Sequence, residues 1–177
     1  MDFISKPADY RSLPYWGRHH VPCLTWCDNG DLLAAAFTGP ADNSDQFAIL
    51  FTRLRDGKTN WDPPARFFIA PDRNVSAAIF FRGERGELHH YNGLCGPSMG
   101  SFSMLKRTSA NYGATWSTPK LVHEWPTVPA NPKTGLGEPR LWPHLALVAL
   151  PDGTMLMPTD VAGGNDGGTA LFSSKDR

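Results

Sequence analysis

Apolar and polar positions along the chain form short runs separated by turn residues, a pattern typical of β-strands rather than helices. Three pairs of such runs can be followed: 20–26 with 31–37, 74–81 with 86–91, and 142–150 with 154–158. The two runs of each pair are joined by a turn signal, such as Asp28-Asn29-Gly30 in the first pair. Each pair is therefore predicted to form a β-hairpin.

Two independent markers recur along the chain in step. A glycine lies at the start of the second run of each pair or directly before it, at Gly30, Gly86 and Gly153. The interval from Trp61 to Trp116 matches the interval from Gly30 to Gly86 to within a single position. Repeats of this length are typical of four-stranded propeller blades. A β-sandwich is the structural alternative, but it does not predict that Trp and Gly recur in step.

The sequence therefore predicts an all-β fold, a β-propeller with about three four-stranded blades. The predicted blades are residues 18–66, 67–125 and 138–177, the last one incomplete. The 16 prolines, 17 glycines and 6 tryptophans also favour many short strands joined by turns over a helical bundle.

Composition narrows the classes of partner. Lys plus Arg and Asp plus Glu both number 17, so the formal net charge is zero and nothing points to nucleic acid or an anionic membrane. No apolar run is long enough to span a bilayer, and the N-terminus lacks the apolar core of a signal peptide, so a soluble protein of unknown location is expected. The three cysteines are interpreted as free thiols, and no metal or cofactor motif is present. His89 and His90 fall on opposite faces of a strand, which argues against a metal pair.

The segment Ser109–Trp116 is predicted to form a tight turn with its own small core. Asn111 and Gly113 are residue types that accept left-handed backbone angles, and the Trp116 ring can fold back over the turn with its N–H on a backbone carbonyl. The segment resembles the Asp-box of sialidases and bacterial neuraminidase repeat proteins, Ser-x-Asp-x-Gly-x-Thr-Trp. Asn111 stands where Asp is usual, and partial copies occur at 56–61 and 174–176.

The resemblance to the sialidase-like superfamily covers residues 18–177, and it implies a sialidase-type propeller with six blades when complete. In true sialidases the first strand opens with an Arg-Ile-Pro motif whose Arg holds the substrate carboxylate. Here His20 precedes Val21-Pro22, and imidazole cannot grip a carboxylate bidentately as guanidinium does. Sialic acid itself is therefore not the expected substrate. The Tyr nucleophile and its Glu partner would lie beyond Arg177.

Propeller sites form where the innermost strands begin, and polar residues cluster at these places. Arg18, His19 and His20 begin the first strand and suit substrate contact or acid–base work by His20; an ordinary polar strand start is the alternative. The resemblance implies a catalytic acid in the loop that contains Asp42 and Asp45, with Asp45 favoured because it directly precedes an apolar strand. A solvated turn is the alternative for this loop.

Further candidates precede the second and third blades. The predicted substrate-binding residues there are Arg73, Asn74, Arg140, Trp142 and His144. The arginines suit an acidic sugar, and Trp142 suits stacking on a pyranose ring. Surface ion pairs are the alternative for the arginines.

The function predicted from these residues is a carbohydrate-active enzyme, a glycoside hydrolase acting on an acidic or modified sugar. The alternatives are a non-catalytic propeller that binds glycans or proteins, and a polysaccharide lyase on the same fold. The chain stops inside the third box, which is partial, after about three blades. We therefore expect a homo-oligomer, or completion by a missing remainder of the propeller, because open sheet edges and apolar faces favour association.

Overall fold

The computed structural model describes residues 18–39, 47–71, 73–95, 102–123, 142–143, 146–161 and 168–175. These residues form twelve strands in three antiparallel sheets, and no helix occurs among them. None of the described residues therefore belongs to a helix long and apolar enough to cross a membrane. The all-β prediction is confirmed.

Chain order is also spatial order in the first two sheets. The first sheet contains β1 (Arg18–Trp26), β2 (Leu32–Gly39), β3 (Ala48–Leu54) and β4 (Ala65–Ile69). The second sheet contains β5 (Asn74–Arg82), β6 (Leu88–Cys95), β7 (Phe102–Ser109) and β8 (Lys120–His123). Each strand pairs antiparallel with the next, as in propeller blades.

The third sheet has four strands, but two of them lie end to end along one edge, so the sheet is three strands wide. They are β9 (Trp142–Pro143), β10 (Val148–Ala149), β11 (Met155–Val161) and β12 (Gly168–Ser174). Strand β12 pairs with β11 along its whole length, so β9 and β10 both lie on the other edge of β11. They are two segments of one interrupted inner strand. Among the described residues this sheet therefore has no counterpart of β4 and β8, and the incompleteness of the third blade stays a prediction.

The three hairpin glycines have the same geometry. Gly30, Gly86 and Gly153 have φ values of 86°, 79° and 83°, which lie in the left-handed region that favours glycine. Each glycine N–H donates to the carbonyl three positions earlier. The intervals read from the sequence are therefore the intervals of a repeated structural unit.

Strand β5 lies in the middle of the described structure and packs against both β1 and β9. Its residues 74–80 are all buried, and its two faces contribute to different clusters, as expected for a period of two. Phe80 joins Leu33 and Ile49 in the core between the first and second sheets. Ile79 joins Met157 in a smaller core between the second and third sheets.

One face of β1 carries exposed apolar side chains. Leu24 and Trp26 are 62% and 60% exposed, and alternate residues of the strand are buried more deeply. No described sheet covers this face. Association with a second copy or with further blades stays a prediction.

Candidate functional site

The starts of the inner strands lie at the same end of the sheets. Arg18 begins β1 and Asn74 begins β5 one repeat later, so the two occupy the same position in consecutive blades. Trp142 begins β9 in the third sheet. Because the innermost strands of propeller blades run in the same direction around the axis, these starts face a common side of the ring. The polar candidates at 18–20 and 73–74 therefore share one end of the structure.

Each of the first two inner strands contains a β-bulge just inside its start. The pairing register shifts between His20 and Cys23 in β1, and between Ser76 and Ile79 in β5. Val21 and Ala77, which occupy equivalent positions in the two bulges, have φ values of 47° and 51°. Positive φ is costly for these residue types, most of all for a β-branched one. Bulges redirect side chains and are common next to active sites, so this repeated strain favours a functional role for the strand starts.

At the start of β1 the backbone and the His20 ring are both held in place. The Thr38 hydroxyl donates to the Arg18 carbonyl at 2.6 Å. The exposed His20 ring stacks on buried Phe37 with 5.3 Å between ring centroids and 18° between ring planes. Phe47 packs edge-on against Phe37, with 5.4 Å between the ring centroids. His20 therefore sits on a rigid aromatic platform, while His19 pairs with Thr38 on the neighbouring strand.

At the start of β5 a buried acceptor lies next to an exposed cation. Asn74 is only 5% exposed, and its Oδ1 has no hydrogen-bond partner among the described residues. An unpaired buried acceptor costs about 1–3 kcal/mol, so this oxygen suits a hydroxyl group or a water. The neighbouring Arg73 is exposed, and its backbone N–H donates to the Ala70 carbonyl at 3.4 Å. Together the two side chains provide one acceptor and one positive charge.

The remaining candidates cannot be placed by their side chains. Asp42, Asp45, Arg140 and His144 lie outside the described residues. Trp142 is described through its backbone, which pairs with Asp160. The roles of these five residues stay predictions. No group of three or more His, Cys, Asp or Glu in the described part of the chain is arranged to hold a metal ion.

A buried polar cluster between the first two sheets was not predicted from the sequence. Arg107 donates from Nη1 to Asn92 Oδ1 at 2.8 Å, contacts His90 Nδ1 at 3.2 Å, and lies 3.8 Å from the centroid of the Phe68 ring. Burial lowers the pKa of Arg107 to about 10. The pKa of His90 lies well below its usual value, mainly because the ring is buried and to a lesser extent because the Arg107 charge is close. The sequence did contain a sign of this cluster, because His90 and Asn92 lie two positions apart and therefore share one face of a strand. Alternating polar residues are usually assigned to solvent, whereas here they face the neighbouring blade.

A protein-family model described as a BNR repeat-like domain matches residues 30–177. None of the curated proteins matches the chain.

Several solved structures resemble the chain in fold. A protein of unknown function from Dyadobacter fermentans has a TM-score of 0.64 and 14% identity, over 89% of this chain and 51% of that one. The Penicillium chrysogenum α-L-arabinanase in complex with arabinobiose has a TM-score of 0.56 and 16% identity, over 90% and 46%. The leech intramolecular trans-sialidase has a TM-score of 0.58 and 11% identity, over 90% and 42%. The chain thus spans about half the length of these proteins, and the likeness confirms the β-propeller fold.

Proposed function

Since the chain belongs to the BNR repeat-like domain family, we propose that it forms part of a glycoside hydrolase acting on an acidic or modified sugar. Among the similar structures are an arabinanase and a trans-sialidase, both of which act on carbohydrates. Their low identity leaves the substrate of this chain to be inferred from its own residues.

The observation that carries this proposal is the repeated polar strand start followed by a strained bulge. Arg18 and His20 precede Val21 in β1, and Asn74 precedes Ala77 at the same place in β5. Sugar sites need a few donors and acceptors held precisely on a rigid frame. The His20 platform and the buried Asn74 oxygen both meet this requirement.

We assign roles to the candidates as part of the proposal. Asp45, or Asp42 in its place, donates a proton to the leaving-group oxygen, which requires a carboxylic acid kept protonated by its surroundings. His20 hydrogen-bonds the sugar ring substituents. The remaining contacts to substrate come from Arg18, His19, Arg73, Asn74, Arg140, Trp142 and His144. Because His20 replaces the carboxylate-binding arginine of sialidases, the positive charge for an acidic group comes from the arginines of this set.

The first test is an activity panel on the intact protein. We expect cleavage of at least one acidic or modified 4-nitrophenyl glycoside, such as a glucuronide, slower cleavage of the neutral arabinosides and xylosides, and no efficient cleavage of a 4-nitrophenyl sialoside. Release of nitrophenol is the measurement. Efficient sialoside cleavage would contradict the inference from His20. Saturable sugar binding with no turnover on any substrate would favour the non-catalytic glycan-binding alternative.

The His20→Ala variant tests the strand start directly. Loss of one hydrogen bond to substrate is worth roughly 1–1.5 kcal/mol, so we expect kcat/KM to fall about tenfold while the melting temperature is unchanged. Lys58→Ala, a change in an exposed turn of the first sheet, is the matched control and should keep full activity. An unchanged kcat/KM in His20→Ala would exclude His20 from the site.

A further inference from the structure

A cleft lies between the second and third sheets, at the opposite end of β5 from Asn74. Its lining residues are Phe81, Gly83, Glu84, Glu87, His89 and Lys106 from the second sheet, and Ala149 and Met155 from the third. We call it the blade-junction cleft. With a rise of about 3.3 Å per residue along β5, it lies roughly 20 Å from the candidate site. None of the candidate site residues that the structure describes lines it.

The acceptors of the blade-junction cleft are a carboxylate and an imidazole nitrogen. Glu87 accepts a hydrogen bond from the Arg85 N–H at 3.0 Å, and its Oε1 lies 3.4 Å from His89 Nε2. Burial raises the pKa of Glu87, but its own backbone N–H and His89 lower it more, so the carboxylate is charged at neutral pH. His89 is 9% exposed, and its Nδ1 has no hydrogen-bond partner within the described part of the chain. With the proton on Nε2 facing Glu87, Nδ1 is a buried acceptor that lacks a donor.

The donor and the apolar wall come from neighbouring positions of the same sheet. The Lys106 ammonium lies 5.6 Å from the centroid of the Tyr91 ring and supplies the positive charge. The Phe81 ring packs at 5.8 Å from the His89 ring and forms one side of the cleft. Met155 forms the other side. The cleft thus combines a donor, two acceptors and an aromatic face.

The charged groups of the cleft have both signs, so a simple anion or cation meets a like charge as well as an opposite one. An anion would face the carboxylates of Glu84 and Glu87, and a cation would face the ammonium of Lys106. A neutral hydroxylated ligand suits all of them, since hydroxyls donate to Glu87 and His89, accept from Lys106, and leave C–H groups for Phe81. The enclosed space of about 30 Å³ admits a hydroxyl or hydroxymethyl group, so a sugar ring would lie across the mouth. We propose that the blade-junction cleft is a second saccharide-binding site that holds one neutral sugar unit.

Methionine-methyl NMR on the intact protein provides a local readout, because Met155 lines the cleft whereas Met104, which is equally buried, lies outside it in the core between the second and third sheets. The probes are methyl α-L-arabinofuranoside, methyl β-D-xylopyranoside and, as an anionic comparison, sodium acetate. We expect a saturable shift of the Met155 methyl resonance with at least one glycoside and none with acetate. Lys106→Met and Glu87→Gln should each weaken this binding at least tenfold, since each removes a charged hydrogen-bonding partner.

The matched control is Lys120→Met, which replaces an exposed lysine paired with Lys106 on the neighbouring strand but outside the cleft. It should bind as the wild type does. Unchanged affinity in both Lys106→Met and Glu87→Gln would overturn the proposal. So would a Met155 resonance that responds to no glycoside, or that responds to acetate instead. The nitrophenol assay is a separate readout, so failure of the proposed hydrolase activity and failure of this site are distinguishable.

Discussion

Replacing Trp116 with alanine is expected to lower the free energy of unfolding by about 3 kcal/mol, the low end for loss of a packed aromatic ring. The ring is only partly buried, but it packs against Phe67, Phe80 and His90 at centroid distances of 5.3, 6.0 and 6.1 Å. Its Nε1 donates to the Gly113 carbonyl at 3.1 Å. It therefore joins the turn at 109–116, here called the Trp116 turn, to both adjoining sheets. Urea unfolding followed by far-UV circular dichroism measures the change.

Two matched variants separate the contributions of the ring. Trp116→Phe keeps most of the packing and loses the N–H bond, so a loss of about 1 kcal/mol is expected. Trp61→Ala removes the equivalent residue of the first sheet, which bridges to Leu54 but makes no ring contact with any described residue. It should be less destabilising than Trp116→Ala. If Trp116→Ala and Trp61→Ala lower the free energy of unfolding equally, the aromatic contacts of Trp116 contribute no extra stability.

The repeat was predictable because its signals are local. Gly30, Gly86 and Gly153 each occupy a position that requires positive φ, and such a requirement is visible in the residue type. The return of Trp116 over its own turn was predictable for the same reason, since its partner Gly113 lies within the same turn.

The bonds that close the two tryptophan turns repeat as well. The Asp62 N–H donates to the Arg53 carbonyl in the first sheet, and the Ser117 N–H donates to the Thr108 carbonyl in the second. Donor and acceptor are equally far apart along the chain in both bonds. Each donor directly follows the tryptophan of its turn, so the recurrence of Trp marks a recurrence of backbone structure.

One local prediction about the Trp116 turn was wrong. Tyr112, together with Gly113, takes the left-handed conformation, with φ values of 58° and 76°, and Asn111 does not. The Asn111 side chain instead accepts from the Thr115 N–H and donates to the Thr115 hydroxyl, both at 2.9 Å. These bonds fix the turn from Asn111 and leave the strained angle to its neighbour. At Asn111, the hydrogen bonds that the side chain makes within its own turn therefore decide the backbone conformation, although asparagine also tolerates positive φ.

Contacts between residues that are far apart along the chain could not be predicted from the sequence. Lys106 and His89 meet in the blade-junction cleft only through the register of β6 and β7, which no single segment encodes. The strained Val21 beside His20 follows from a bulge that pairing with β2 produces. For the acid candidates Asp42 and Asp45 the sequence argument stands alone, because both lie outside the described residues.

A buried ion pair joins the first sheet to the Trp116 turn. Arg53 Nη1 lies 2.5 Å from Asp31 Oδ2, and both side chains are about nine-tenths buried. The second guanidinium nitrogen donates to the Tyr112 carbonyl at 2.7 Å, and the Asp56 N–H donates to the other Asp31 oxygen at 2.9 Å. A β-carbon on Gly113 would approach Leu33 Cδ1 to 2.7 Å, so the turn contacts the first sheet with no room for a side chain.

Replacing Arg53 with alanine should therefore destabilise the protein by about 3–5 kcal/mol, because it leaves the Asp31 carboxylate buried without its cation. Arg55→Ala is the matched control. The Arg55–Asp62 pair is similar in chemistry at 2.9 Å but more than a third exposed on both sides, so its loss should cost under about 1 kcal/mol. An equal loss of unfolding free energy in the two variants would show that burial does not determine how much the Arg53–Asp31 pair stabilises the protein.

The pH dependence of this difference identifies the charge responsible. Burial raises the pKa of Asp31, but the hydrogen bonds from the Asp56 N–H and Arg53 lower it more, so it lies below its usual value. A lowered folded-state pKa contributes stability above the unfolded value of about 3.9, and this stability is lost as the pH falls through the folded-state pKa.

Arg53→Ala removes one of the influences that lower the pKa of Asp31. The stability gap between wild type and Arg53→Ala should therefore be largest near neutral pH and shrink below about pH 4, as Asp31 becomes protonated in both proteins. A gap that stays constant down to about pH 3 would mean that Arg53 stabilises the junction through its bond to the Tyr112 carbonyl rather than through the Asp31 charge.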